Sequence, residues 1–566
     1  MSETRSAGPR FGGWVPAWIT AVLAISAAIT LGFWLVRALG GDDTEALESP
    51  LMLSVARQLV AGPGELYGPF GGHNPLVLIH APLYYRVAAL SAWPIARAGL
   101  EPVTAARVAG RSLSALGLLA TLAAAYRLAR LGGGARRAGW WSMLLIASAP
   151  VLSGQPFAVR PDMAGVALQT TGVLLVLSAP GGGSGAGRRV IWGYAALGLA
   201  ACVKQHMVAD AAVSTTLLLL AGRGGQVRLG AIVRGLAVGV GIVAFVYGAE
   251  WVMTGGRIWE AAFVAARDVG RVHPGGWDHM LIVLLAILNR TIGLIVLLSA
   301  VGLARAGVSP GIGRKVLLVT GLGLIVPIIV ALGLHSVWNR VELGIVVALA
   351  ACVLMGVIFP ACALIERSAL LGNRIDAALW VYTAAELALA TVFYYLSTGS
   401  WMNYAIQSVV FGGVLTARAA SRVEHAWPSR RILWPAALVV VTVMVSAYNH
   451  VFDAELQMRG ERAAAEKIFA HLNQPPSAFF FIDRPGFNRV GGRLDLVYDD
   501  WLYPVFESLH LAEPRSGWLG RSLGSGSVRA VVGTSPSSRI EGTGLDLRRL
   551  GYHPDVSVGP FFVWTR

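Results

Sequence analysis

Two short stretches of this chain carry side chains able to do chemistry in an otherwise apolar setting. In GDDTEALES, directly after the first long apolar run, Asp42, Asp43, Glu45 and Glu48 crowd together. Such a cluster can take a proton from an attacking hydroxyl, or it can cap a helix N-terminus, since carboxylates favour that end. In GLAACVKQHMVADAAVSTTLLLL, Lys204-Gln205-His206 interrupts a run that otherwise reads as membrane interior, and Lys204 is one of only three lysines in the chain. A lysine there is costly unless it meets an anion or lines a wet pocket. FAVRPDMAG adds Arg160 and Asp162. Carboxylates in one loop and basic groups in later turns suggest an acid/base centre beside an anion pocket.

The elements that must position these groups are apolar helices. Of 566 residues, 55% are hydrophobic and 14% charged, with mean hydropathy +0.61; soluble domains carry about a quarter charged residues. Long apolar runs recur from Trp14 to Tyr448, so the chain reads as a polytopic α-helical membrane protein. The net charge of +15 comes almost wholly from Arg, in short clusters between apolar runs. That is the positive-inside pattern and argues against nucleic acid as a partner. Cys202, Cys352 and Cys362 lie in apolar runs without metal-ligand spacing, which argues against a disulfide framework or a zinc site. The run from Trp14 to Leu39 is too long for a signal-peptide core and is expected to stay as a first span.

If the basic clusters at Arg127–Arg137, Arg188–Arg189, Arg223–Arg234, Arg305–Lys315, Arg367–Arg374 and Arg418–Arg431 all face the cytoplasm, the runs between them leave and return in pairs. The expectation is about thirteen spans, the N-terminus inside and the C-terminus outside. Segment 80–100 is read as a juxtamembrane or interfacial helix, with Arg86, Trp93 and Arg97 at headgroup level. Between Arg189 and Arg223 the chain must turn at Lys204-Gln205-His206, each arm being only ~15 residues or ~22 Å against a ~30 Å hydrocarbon core. The turn is therefore expected to be recessed in a cavity; the alternative is one long tilted helix with Lys204 snorkelling.

This topology gathers the polar residues on the outer face. The order of GDDTEALESPLMLSVARQLVAGPGELYG…HNPLVLIHAPLYYRVAAL, AARVAGRSLSALGLLATLAAAYRLARLGGGARRAG, FAVRPDMAGVALQTTGVLL, ACVKQHMVADAA and STGSWMNYAIQ resembles bacterial family-39-type glycosyltransferases of the GT-C superfamily. That group includes protein O-mannosyltransferases and lipid A aminoarabinose transferases. The resemblance spans roughly residues 14 to 420 and is strongest up to 210. It implies an inverting transferase that takes a sugar from a polyprenyl-phosphate carrier outside the bacterial cytoplasmic membrane, for a glycan, lipid or protein acceptor. A carboxylate would be the base, and basic groups would hold the lipid phosphate. No cofactor is expected to be required, and a divalent metal stays as an alternative.

The family places an acidic pair at the start of the first loop, with Ala eight positions on and Gly before a Leu-Tyr pair. Glu48, Ala56, Gly62 and Leu66-Tyr67 fit, but Ser49 follows Glu48 and no Asp leads. Glu48 is thus the first candidate base, with Asp43, Asp42 and Glu45 as rivals. Lys204, Arg160, His206 and Arg257 are the candidate phosphate-binding residues. Asp162, Tyr84, Gln205, Asn403 and Tyr404 are candidates for binding substrate or for holding the site. Each has a plainer reading: Asp162 as a helix cap, Arg160 as a snorkelling side chain, His206 as a structural histidine, and Arg257 as part of a solvated loop helix. No metal ligands are assigned, because His273, Asp278 and His279 fit no zinc template.

After Tyr448 the pattern changes. AAAEKIFAHLNQ reads as a helix, with SAFFFID, VRAVVGT and DVSVGPFFVWTR as strands. The expected organisation is a transmembrane domain over 1–448, its first external loop at 40–105, and a small extracytoplasmic α/β domain over 449–566. A transporter or lipid flippase is the rival function, although the internal repeat it would bring is absent from the sequence. A non-catalytic GT-C-like assembly subunit is a third reading.

Overall fold

The computed structural model describes residues 14–39, 48–68, 78–149, 155–180, 185–223, 227–280, 374–396 and 402–426, together with most of 460–482 and 515–566. Helices dominate the first part: α1 (Trp14–Leu39), α2 (Glu48–Ala61), α3 (Leu83–Arg97), α4 (Pro102–Arg130), α5 (Arg136–Ala147), α6 (Asp162–Leu177), α7 (Ala186–Val203), α8 (Ala209–Arg223) and α9 (Leu229–Thr254). Arg257–Val272 follows with a π-helical turn at Glu260–Ala265; α10 is Arg374–Leu396 and α11 is Ile406–Ala426. Among the described residues, three helices are long and apolar enough to cross a membrane: Thr20–Leu39, Pro102–Arg130 and Leu229–Thr254. Asp162–Leu177 and Ala378–Phe393 are shorter apolar helices. The chain is a multi-pass membrane protein by the length and composition of these helices; the expected count of spans falls partly outside the described residues.

Local chemistry sets the helix ends. The Glu101 carboxylate accepts the Thr104 N–H at 2.9 Å, and Pro102 occupies the first turn of α4. α9 stops at Gly255 and Gly256, whose φ values of 60° and 89° are left-handed and need glycine. α3 has 15 residues, too few for a span at 1.5 Å per residue.

Small residues let the apolar helices close on one another, as is common where lipid removes the hydrophobic drive between helices. A Cβ added to Gly198 of α7 would lie 2.6 Å from the Gly239 carbonyl oxygen of α9, and one on Gly172 of α6 would lie 2.9 Å from the Gly193 carbonyl oxygen of α7. A second buried cluster joins α2, α3 and α4 through Met52, Val55, Tyr84, Tyr85, Ala88 and Ala106.

The C-terminal part folds as a four-stranded sheet of order β1-β2-β4-β3, with β1 at Phe479–Phe481, β2 at Ala530–Gly533, β3 at His553–Val558 and β4 at Phe561–Thr565. β1 and β2 are parallel, and β4 is antiparallel to both β2 and β3. The two-residue period of a strand sorts the side chains. Phe479, Phe481, Val532 and Val563 pack with Ala464 and Ile468 on one face. Phe480, Val531 and Trp564 pack on the other with Leu519 and Leu523 of α12 (Arg515–Gly524), and that cluster is continuous with the α2–α3 core.

Two expectations for arginines are corrected. Arg86 is not a headgroup anchor: it makes a two-pronged ion pair with the buried Glu250 of α9 and donates to Gln58 Oε1 at 2.7 Å. Trp93 does remain exposed, with the Arg97 guanidinium 4.6 Å above its ring. Arg418 is not a loop residue but a fully buried one on α11. It donates to Asp376 Oδ1 at 2.5 Å and to the Ala129 and Leu131 carbonyls at 2.7 and 2.6 Å, closing the C-terminus of α4. Replacing Arg418 by Ala strands Asp376 and the α4 carbonyls, at an expected cost of about 3–5 kcal/mol. The paired change Arg418→Met with Asp376→Leu should cost less than that single one. Unfolding of the detergent-solubilised variants checks this, and equal losses would show that the stranded carboxylate is not the cause.

Candidate functional site

The Lys-Gln-His interruption ends a helix. Lys204 has an extended backbone (φ −152°, ψ 121°) and caps α7; Gln205–Val208 form a 3-10 turn before α8 begins. The chain then folds back, and Tyr194 of α7 meets Thr215 of α8, hydroxyl to hydroxyl, at 2.6 Å. One continuous helix is thereby ruled out, and Lys204 is buried, 3% exposed.

Its ammonium donates to Asp162 Oδ1 at 2.5 Å. Asp162 begins α6, and its other oxygen accepts from Arg160 Nε at 3.2 Å. One carboxylate therefore bridges two cations, all three side chains being at least nine-tenths buried. On another side, Lys204 Nζ lies 4.6 Å from the centre of the Tyr404 ring, a cation–π contact. Tyr404 belongs to the 3-10 turn Met402–Ala405, which also carries Asn403. Its ring is 4.8 Å from His206 and 5.0 Å from Phe393. The His206 Nε2 is buried and has no hydrogen-bond partner.

The surrounding residues hold this centre. Gln205 Nε2 donates to the Ile79 carbonyl at 2.7 Å and the Ala262 carbonyl at 3.3 Å, tying the first loop and the π-helical turn to the Lys204 turn. The Tyr84 hydroxyl donates to the Gly110 carbonyl at 2.9 Å and lies 3.1 Å from Ser114 Oγ; Ser114 in turn donates to the Arg160 carbonyl at 3.0 Å. Tyr84 and Gln205 thus act as supports.

Glu48 and Arg257 stand elsewhere. Both Glu48 oxygens pair with Arg111, at 2.7 and 2.8 Å, and Oε1 also accepts the Val159 N–H at 3.0 Å. Fully buried, Glu48 fastens α2 to α4 and to the stretch before α6. Arg257 donates to the Thr254 and Gly64 carbonyls at 2.8 and 2.9 Å, in the group that includes Arg57. Asp42, Asp43 and Glu45 lie outside the described residues. No group of three or more His, Cys, Asp or Glu that could hold a metal occurs among the described residues.

Arg111 and His80 were not among the sequence candidates. Arg111 looks like any helical arginine until its partner, 63 positions earlier, is known. His80 stacks on Tyr85 at 6.3 Å, and its carbonyl accepts from the Tyr67 hydroxyl at 2.6 Å.

No known protein-family model matches the chain, and no curated protein matches it. Its fold is similar to those of several solved structures. ArnT from Cupriavidus metallidurans bound to undecaprenyl phosphate is 14% identical, with 97% of this chain and 98% of that chain covered and a TM-score of 0.48. The apo state of that ArnT is 16% identical, with 97% of each covered and a TM-score of 0.45. The archaeal oligosaccharyltransferase AglB from Archaeoglobus fulgidus, in complex with an inhibitory peptide and a dolichol-phosphate, is 14% identical, with 91% of this chain and 69% of that chain covered and a TM-score of 0.47.

Burial, and then the charges of Lys204 and Arg160, pull the His80 pKa down from 6.5 to about 3. The folded protein thus keeps His80 neutral where the unfolded chain would protonate it. The associated stability is complete above pH 6.5 and is lost as pH falls towards 3. Thermal unfolding from pH 7.5 to 4.5 should therefore fall less steeply in His80→Gln than in wild type. Identical slopes would remove His80 from the balance.

Proposed function

We propose that this chain is a GT-C-type membrane glycosyltransferase that moves a sugar from a polyprenyl-phosphate carrier to an acceptor hydroxyl on the extracytoplasmic side of the bacterial inner membrane. The observation that carries the reading is the placement of Lys204. An ammonium has three N–H donors; this one spends a single hydrogen bond on Asp162 and faces an aromatic ring, beside the unpartnered His206 Nε2. A phosphate oxygen suits the remaining donors, and in a low-dielectric site such donors are worth far more than in water.

In the reaction, the acceptor oxygen attacks the anomeric carbon from the face opposite the phosphate and loses its proton to a carboxylate. The bond from the anomeric carbon to the phosphate oxygen breaks, and its electron pair stays on that oxygen. The anionic leaving group needs positive charge rather than a proton, and Lys204 with Arg160 supply it. Asp162 keeps the two cations at one spot despite their repulsion. Glu48 has both oxygens engaged by Arg111, so the base role passes to Asp43, Asp42 or Glu45. Residues 449–566 form an external domain in this reading and help to hold the acceptor.

The test uses purified protein in lipid nanodiscs and a panel of polyprenyl-phosphate sugars, with hydrolysis counted as turnover. Lys204→Ala is expected to lower turnover by about 10²–10³-fold, the effect of removing one donor to a developing anion. Tyr404→Leu should weaken donor binding more than Tyr404→Phe, because only the ring faces the ammonium. Asp43→Asn or Asp42→Asn should abolish turnover while donor binding survives. Well-folded wild type that binds no donor would refute the reading. Donor binding that no carboxylate change converts into lost turnover would point to an assembly subunit.

A further inference from the structure

A second polar cluster lies inside the helical bundle, and the proposed reaction does not use it. Gln169 is half-way along α6, Glu386 is half-way along α10, and Asp210 is in the first turn of α8. They are 0%, 1% and 0% exposed, respectively. Gln169 Nε2 donates to Glu386 Oε1 at 3.1 Å. Ser214, one turn on from Asp210, meets Tyr382, one turn before Glu386, hydroxyl to hydroxyl at 2.6 Å. The same faces of α8 and α10 therefore carry both pairs.

What distinguishes this cluster is its surplus of acceptors. Both Asp210 oxygens, Glu386 Oε2 and Gln169 Oε1 are buried without a hydrogen-bond partner. Each buried ion in the polar centre above has an ion of opposite sign beside it; here two acids face each other with an amide. A proton shared between the carboxyls would form one hydrogen bond, leaving a net negative charge and the Gln169 oxygen unserved. Buried charge and unpaired polar atoms inside a membrane protein are both expensive. A small hard cation takes oxygen ligands from carboxylates and amide carbonyls together.

We propose that Asp210, Glu386 and the side-chain oxygen of Gln169 form a binding site for a small hard cation, Na⁺ or a divalent ion, that clamps α8 between α6 and α10. The site is separate from the Lys204 centre. It fixes the start of the helix that follows the Lys204 turn.

The test takes the full chain in nanodiscs, stripped with chelator and held in choline chloride. NaCl, MgCl₂ or CaCl₂ is then added at constant ionic strength while thermal unfolding is followed. Wild type should show a saturable rise of about 3–6 °C with at least one of these ions. Asp210→Asn and Glu386→Gln, both nearly isosteric, should lose that rise, and Gln169→Leu should need more of the ion. Equilibrium binding of ²²Na⁺ or ⁴⁵Ca²⁺ gives a readout independent of stability. The proposal is overturned if wild type responds to none of the ions and binds neither tracer, which would leave a shared proton only. It is equally overturned if Asp210→Asn responds as wild type does.

Discussion

The Asp162 carboxylate is the contact on which the polar centre depends. It joins the N-terminus of α6 to the C-terminus of α7 by holding Arg160 with one oxygen and Lys204 with the other. Two like charges this close repel strongly where the dielectric is low, and one carboxylate between them turns repulsion into a bridge. Asp162→Asn would preserve the shape and lose that effect. The Tyr404 ring, the Gln205 tethers and the Tyr84–Ser114–Arg160 chain all assume the position this bridge sets.

Elsewhere the same economy recurs. Only 14% of residues are charged, and several buried ones serve as cross-links between distant parts of the chain. Glu48 and Arg111 lock the first-loop helix α2 to α4; Arg86 and Glu250 lock α3 to α9; Arg418 and Asp376 lock α11 to α10. Small residues bring the helices close, and these pairs fix which faces meet. Buried pairs of this kind contribute little net stability over apolar equivalents, yet losing one partner is expensive.

The sequence made the apolar helices legible through their length, and the break at Lys204 through its cost in an apolar run. The short α3 and the first two C-terminal strands were legible from length and period, but DVSVGPFFVWTR, read as one strand, is the hairpin of β3 and β4 that turns at Gly559 (φ 58°). Pairing was not. Arg86 reads as an interfacial residue because nothing near it in sequence reveals Glu250, 164 positions away. Arg418 falls in a basic cluster that the positive-inside rule assigns to a loop, but α11 runs through it and Asp376 draws it inward. Glu48 fits the spacing of the family's leading carboxylate, but nothing near it in sequence reveals its partner Arg111, 63 positions away. Asp210 is the single acid of α8 and Glu386 is one of two in α10, and only the fold brings these two together. Asp42 and Asp43 lie outside the described residues.

The α7–α8 pair has a consequence for the lipid around it. At 18 and 15 residues, the two helices are ~27 and ~22 Å long, and a bilayer core is ~30 Å thick. Val208, at the turn between them, and Leu219 on α8 are exposed. Hydrophobic mismatch of several ångströms is relieved by local thinning of the bilayer, at a modest cost per ångström. In the proposed orientation, a lipid headgroup beside this hairpin would sit deeper than its neighbours, nearer the level of Lys204. If the proposed reaction holds, the shortness of two helices, rather than any moving part, would lower the barrier for a lipid phosphate to reach the Lys204 ammonium.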